Sequence, residues 1–413
     1  IVYYYLRAPD IRVVEARDRG VFKRFIYAAA DAVLSPVGQV LTLAVWGVVI
    51  AGSAYYWQNL GIGDPTSAEP LLRRDSAYNV AHARIQELFG GSEPLMIVVE
   101  RQGDNQQNTV VMPEVLRGIE KLQRHMERDP SVGLSFSFID ILPVVNAAVH
   151  ELEPKWEVLP RTPSQVNLLL AAYFSGTSYQ ETNRVIDFKY RAAPIWFYCV
   201  DHKSDNIRRI IQHAKEFIVE NPLDSARFLL AGGRIGVLAA ANEELLKNDI
   251  MVNVLGFTTI FLVLIFTYRS IAAGIYMIIP LLIANAAVNA YMGARNIGIN
   301  INTLPVVTVG VGFGIDYALY IVSRIIEEYR MGVALPEAVR LAVATSGKAV
   351  SFTALTMILG TLLWTFSHIR FNSEMGLLLA LWMGVSFLAT MTLLPVMVVM
   401  LKPRFITRER QPN

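Results

Sequence analysis

The chain has 413 residues, 53% of them hydrophobic and 17% charged, with a mean hydropathy of +0.38. Its formal net charge of +2 gives no basic excess, so no nucleic-acid partner is expected. Cys199 is the single cysteine, which excludes an intrachain disulfide framework; it lies in an apolar, strand-like run and reads as a core residue rather than a nucleophile or ligand.

In chain order, the first run is Ile1-Val-Tyr-Tyr-Tyr-Leu-Arg-Ala-Pro. It parallels Pro395-Val-Met-Val-Val-Met-Leu-Lys-Pro, where another apolar run closes on Leu, a basic residue and Pro. Ile1 to Tyr5 reads either as the cut end of an earlier span or as a short surface strand or disordered start. On the first reading the chain is the C-terminal half of something larger. Residues 1–34 form a cytoplasmic linker, and the first charge-free window long enough to cross a bilayer is Ser35 to Trp57.

Residues 58–248 are polar and carry the signals of an α+β domain. Leu95 to Glu100 is a short β-type run, and Pro113 opens a helix to about Glu127. Val132 to Ile139 alternates as a half-buried strand does, and Ala193 to Val200 is a second, aromatic-rich strand. Asp205 to Glu220 is a helix by the spacing of Ile207, Ile210, Ile211, Ala214 and Ile218. Arg227 to Ala231 is the last strand, closed by Gly232-Gly233. With residues 141–187 taken as an insertion, the order is βαββαβ, that of a ferredoxin-like fold. Trp156 and Tyr179 within the insertion are candidate surface aromatics, for a hydrophobic substrate or to close a small core. Arg234 to Lys247 reads as a helix running into the second span, either a coupling rod or a simple connector.

Five further windows follow: Ile250 to Tyr268, Ile271 to Ala294, Thr303 to Ser323, Ala349 to Ser367 and Met375 to Leu401. Residues 249–401 are therefore a five-helix bundle, and 402–413 a tail. Arg7, Arg12, Arg17, Arg19, Lys23, Arg24, Arg269, Arg324, Arg330, Arg340, Lys348, Lys402, Arg404, Arg408 and Arg410 all fall on one side, expected to be the cytoplasm. The opposite links carry only Arg295, or His368 and Arg370. Both termini are then cytoplasmic and residues 58–248 lie outside.

Asp316 is the one formally charged residue between Asn296 and Ser323. A carboxylate at bilayer depth costs several kcal/mol, about 2.5–3.5 on insertion scales, unless it is protonated, paired or wetted. Chains that keep one there use it for proton or ion movement, or as hydrogen-bonding glue between helices. Gly312, Asp316, Tyr320 and Ser323 fall on one helical face, and Gly310, Gly312 and Gly314 leave room for a neighbouring helix. The fifth span offers Ser346, Thr353, Thr356 and Gly360, and the third offers Asn285 and Asn289. Such groups can hydrogen-bond the carboxylate or hold water beside it but cannot neutralise it. Burial among them would favour its protonated form.

This layout resembles one half of a transporter of the resistance-nodulation-division (RND) superfamily: one span, an outer domain, then five spans. The resemblance covers about Ser35 to Leu401 and is nearest to the hydrophobe and lipid exporters, which include the mycobacterial membrane protein large (MMPL) group and the hopanoid exporters. Its motifs are Ile62-Gly-Asp-Pro, Asp75-Ser-Ala-Tyr-Asn79, Phe89-Gly-Gly-Ser-Glu-Pro-Leu and, most specific, Gly312-Phe-Gly-Ile-Asp-Tyr317. It implies a polytopic α-helical membrane protein with six transmembrane helices and one extracytoplasmic, ferredoxin-like porter domain. It also implies that Asp316 and Tyr317 form the proton relay, with Gly312, Tyr320, Ser323, Thr353, Thr356, Asn285 and Asn289 supporting it. Driven by the proton gradient with no cofactor or metal, such a half exports hydrophobic or lipid-like substrate from a bacterial inner membrane. It works with an N-terminal half, in contact with membrane lipids, and a homo-oligomer or periplasmic adaptor is a further expected partner.

Three other readings compete. An intramembrane aspartyl protease needs a second carboxylate beside the first, and Asp249 and Glu374 lie only at span ends. A lipid- or sterol-sensing scaffold would keep the fold without a titrating Asp. A proton-driven protein-translocation accessory would carry different outer domains.

Overall fold

A computed structural model of the chain describes residues 21–407 except 67, 68, 70, 74, 104–108, 179, 181 and 182. Ile1 to Tyr5 and Tyr179 lie outside the described residues. The chain divides into two units: Ile62–Leu245, and a second made of the chain up to Gly61 and from Leu246 onward.

The second unit begins with α1 (Val21–Leu34) and α2 (Pro36–Trp57). Ser35 separates them: its hydroxyl accepts from the Gly38 N–H at 3.0 Å, and Pro36 suits the first helical position.

The smaller unit opens with α3 (Ala77–Phe89). The Asp75-Ser-Ala-Tyr-Asn79 run holds the start of this helix. Ser76 caps it, while the Asn79 side chain accepts from Glu69 N–H and donates to Arg73 O, each at 2.8 Å. Gly90 ends α3 with φ +68°, a left-handed conformation that glycine adopts without Cβ strain. There follow β1 (Glu93–Arg101), α4 (Pro113–Met126), β2 (Val132–Phe136), α5 (Phe138–Val149), α6 (Pro163–Gly176), β3 (Ala192–Cys199), α7 (Ser204–Glu220) and β4 (Ala226–Gly232). β1 lies between β3 and β4 and pairs antiparallel with both, and β2 pairs antiparallel with β3. The resulting order β2-β3-β1-β4 is the ferredoxin-like arrangement, with α5 and α6 inserted between its two halves. Alternate residues of the central strands, Leu95, Ile97 and Val99 with Ala193, Ile195 and Phe197, are fully buried. They join one core with Leu116, Ile119 and Leu122 of α4 and Ile207, Ile210 and Ala214 of α7.

One boundary differs from the sequence reading. The strand expected from Val132 to Ile139 stops at Phe136, and α5 begins at Phe138. Asp140 accepts from the Ser137 backbone N–H at 2.7 Å, so a local cap captures residues whose alternation also suits a strand. Trp156 is half-buried and stacked on His150 at 3.8 Å between centroids, apart from the main core of the unit.

The remaining helices are α8 (Gly233–Tyr268), α9 (Ile271–Ala294), α10 (Leu304–Arg330), α11 (Leu335–Leu362), α12 (Arg370–Leu401) and α13 (Arg404–Thr407). Gly233 enters α8 at φ +72°, and a Cβ there would lie 2.4 Å from Pro94 O. Six helices among the described residues, α2, α8, α9, α10, α11 and α12, are long and apolar enough to cross a membrane. The centre of the bundle is α9, α10 and α12. One cluster joins Leu281, Val288, Val307, Val311, Leu378 and Trp382. Another joins Met277, Ile321, Ile325, Val339 and Leu394. On the periphery, Trp46 of α2 donates to Thr392 Oγ1 at 3.0 Å. Gly293 of α9 admits the α2 backbone, since a Cβ there would lie 2.3 Å from Tyr56 O. Arg340 of α11 pairs with Asp31 of α1 and lies 5.3 Å from the Tyr27 ring centroid.

Candidate functional site

α10 presents two unlike faces. On the inner face, Gly310 and Gly314 lie under the Trp382 indole of α12; an added Cβ would come within 2.6 Å and 2.4 Å of its atoms. One turn beyond Gly314 in the direction of the chain, Tyr317 is 2% exposed, with its ring edge-on to Phe387 at 6.2 Å. The Tyr317 hydroxyl has no hydrogen-bond partner among the described residues. On the outer face, Asp316 is exposed and lines a cavity of about 460 Å³ shared with Phe313, Tyr317, Tyr320, Ser346, Val350, Thr353 and Met357. α10 and α11 form this cavity together, so Asp316, Tyr317, Tyr320 and Thr353 are brought to one place.

The other residues singled out from sequence lie differently. Gly312 shares the outer face, but an added Cβ would meet nothing within 4 Å, so unlike Gly310 and Gly314 it admits no neighbouring helix here. Ser323, lower on that face, is bonded to the Tyr268 hydroxyl of α8 at 2.7 Å. Thr356 does not line the cavity. The Thr353 and Thr356 hydroxyls donate to their own helix, to Ala349 O at 3.1 Å and Phe352 O at 2.7 Å. Asn285 and Asn289 are buried and do not line the cavity either. Asn285 donates to Asn253 Oδ1 of α8 at 3.2 Å, because α9 turns that stripe toward α8. The burial expected around Asp316 is likewise not supplied, since no helix among the described residues covers the outer face of α10 there.

Sequence reasoning missed Ser386 and Thr390. They are fully buried on α12, and their hydroxyls, like the Trp382 indole N–H, have no partner among the described residues. Ser386 lies against Gly314: its Oγ would be 2.8 Å from a Cβ there. The signal was the four-residue spacing of Trp382, Ser386 and Thr390 on one helical face, diluted in a stretch that is apolar all round. Unsatisfied polar atoms inside a membrane bundle are costly unless water or a neighbouring helix reaches them. Among the described residues no second carboxylate lines the cavity. Glu374 is engaged by Arg370 at 2.6 Å, and Asp249 hydrogen-bonds Asn253.

The chain is similar to membrane proteins with this architecture. It is 22% identical over 341 residues to the membrane protein MJ1562 of Methanocaldococcus jannaschii, a match covering 81% of this chain and 84% of that one. It is 32% identical over 90 residues to the sulfolipid-1 exporter MmpL8 of Mycobacterium tuberculosis, covering 22% of this chain and 8% of the relative. Among solved structures, the hedgehog release protein Disp of the water bear Hypsibius dujardini matches 92% of this chain with a TM-score of 0.62 at 11% identity. The match spans half of Disp, so the two share a fold and differ in extent. The family model for MMPL proteins matches residues 70–412. With six apolar helices long enough to cross a bilayer, the chain is a multi-pass membrane protein and belongs to the MMPL family, whose members here are transporters of the RND type.

Proposed function

We propose that this chain is one half of an exporter that uses the proton-motive force to move hydrophobic or lipid-like substrate out of a bacterial inner membrane. Residues 58–248 would be periplasmic, and both termini cytoplasmic. The observation that carries the reading is Asp316, which has no hydrogen-bond or ion-pair partner among the described residues and faces a cavity in the middle of a membrane-spanning helix. The exporter MmpL8 is named for a lipid, which supports a lipid-like cargo.

In this mechanism the outer face of α10 is covered by the other half, so Asp316 sits between the two. A charged Asp316 is costly in that apolar setting, by about 2.5–3.5 kcal/mol on insertion scales. A proton arriving from outside neutralises it and removes that cost, and α10 then repacks against its neighbours. Release of the proton to the cytoplasm restores the charge. Inward proton movement yields about 2.3 kcal/mol per charge per 100 mV, so each cycle has energy for a modest conformational step. The Tyr317 hydroxyl, which has no partner among the described residues and belongs to a residue lining the same cavity, would pass or hold that proton.

Proton flux through proteoliposomes of the full-length transporter, with a lipid extract as cargo, tests this. Asp316→Asn should abolish flux while the protein still inserts, and Tyr317→Phe should reduce it several-fold. Flux in Asp316→Asn equal to wild type would return Asp316 to helix glue and favour a lipid-sensing scaffold.

A further inference from the structure

A cluster in the smaller unit has no part in the reading above. His82 comes from α3, Glu93 opens β1, and His202 follows β3. Glu93 Oε1 lies 3.0 Å from His82 Nε2 and 3.0 Å from His202 Nδ1. The three atoms lie within 4.8 Å of one another. The Glu93 and His202 side chains are 1% exposed and that of His82 13%, so the cluster is buried with one accessible edge.

Zinc at bond lengths of 2.0–2.1 Å sets tetrahedral ligand atoms about 3.3 Å apart. Widening the two carboxylate contacts by a few tenths of an ångström, and drawing the two imidazole nitrogens toward the same spacing, would therefore admit the ion. The charges favour a cation. Arg234 pairs with Glu69 and lies 3.4 Å from both Glu93 oxygens, so with neutral imidazoles two carboxylates face one guanidinium. A buried anion in excess needs a counter-charge. The ligands are also held in place. Tyr78 stacks on the His82 ring at 5.8 Å between centroids, and the Gln86 amide, whose Nε2 lies 3.0 Å from His82 Nε2, would turn aside as the ion takes that lone pair. Arg234, 3.4 Å from both oxygens, steadies the carboxylate, as partners of a metal ligand commonly do.

We propose that His82 Nε2, His202 Nδ1 and Glu93 Oε1 form a binding site for a divalent transition-metal ion, zinc foremost, with water in the fourth position. Two imidazoles and one carboxylate suit zinc and its neighbours, whereas calcium and magnesium take oxygen ligands. The ion ties α3 and the loop after β3 to the start of β1.

The test uses the full-length protein, purified without a polyhistidine tag, stripped with a chelator and titrated with Zn²⁺. About one zinc per chain should bind with micromolar or tighter affinity, raise the unfolding temperature, and bind more weakly as acid protonates the imidazoles. Co²⁺ in its place should show the visible absorption of a tetrahedral site. His82→Ala, at the accessible edge, should lose the metal and keep wild-type circular dichroism. Stripped wild-type protein that takes up no stoichiometric zinc overturns the proposal whatever the variants do, since the imidazoles then share only a proton with Glu93. Uptake unchanged in both His82→Ala and His202→Gln overturns it as well.

Discussion

Asp129 joins the turn after α4 to α7. Its Oδ1 accepts from the Ser131 N–H at 2.9 Å, and its Oδ2 accepts from Arg209 Nε at 3.1 Å, with His213 Nδ1 also at 3.1 Å. Burial pushes the carboxyl up, but the Ser131 N–H, the Arg209 bond and the charges of Arg209 and His213 outweigh it, so it titrates below the usual Asp range. Because the folded value lies below the unfolded one, its stabilisation is complete above the ordinary value of 3.8 and is lost as pH falls through the folded value. Arg209 is 43% exposed, which screens part of the interaction. Asp129→Asn should therefore cost about 1–2 kcal/mol at neutral pH and almost nothing in strong acid. Urea unfolding of both proteins at the two pH values checks this, and a cost that does not shrink in acid would mean that packing, not charge, holds the turn.

At the scale of elements, the α10–α12 contact depends on where glycine stands. Gly314→Ala drives a methyl to 2.4 Å from the Trp382 ring, and the cost of overpacking is about 1–3 kcal/mol. Gly312→Ala, with nothing within 4 Å, should leave thermal stability in detergent unchanged or slightly raised. Trp382→Leu should recover part of the Gly314→Ala loss, because the two sites share the contact. Equal effects of the two alanines would show that the indole does not rest on Gly314. The same helix shows what sequence can reveal. Span positions were legible because length and hydropathy alone define a membrane helix, and the four strands because Leu95-Met-Ile-Val-Val and Ala193 to Cys199 carry β-type residues. Which face meets which neighbour was not legible. Gly310 and Gly312 look alike in the chain, yet one lies under an indole and the other is open; Asn285 shares a polar stripe with Asn289 but points to Asn253. Side-chain direction fixes a face, whereas its partner depends on the packing of helices far apart in sequence. Asp316 was visible because one charge in an apolar run is conspicuous; Ser386 and Thr390 were not, because hydroxyls are ordinary there.

For the whole molecule, the arginine and lysine pattern predicts a cytoplasmic loop after α10 and residues 58–248 outside, and Cys199 provides a way to test both. Its side chain is fully buried, and burial, helped by the charges of Asp129, Glu93 and Asp201, pushes its thiol up to about 12. The thiolate is the reactive form, so the native protein should resist maleimide at neutral pH and react only on unfolding. It is therefore a silent background for single cysteines placed elsewhere. Val219 on α7 is 80% exposed and Met331 after α10 is 60% exposed, so a thiol at either can be reached from its own side of the membrane. In intact spheroplasts, a membrane-impermeant maleimide should label Val219→Cys and spare Met331→Cys, and detergent should make both react. The reverse pattern would invert the orientation. A proton-driven exporter could not then load Asp316 from the side that the proton gradient supplies, and the proposed direction of transport would fall with the topology.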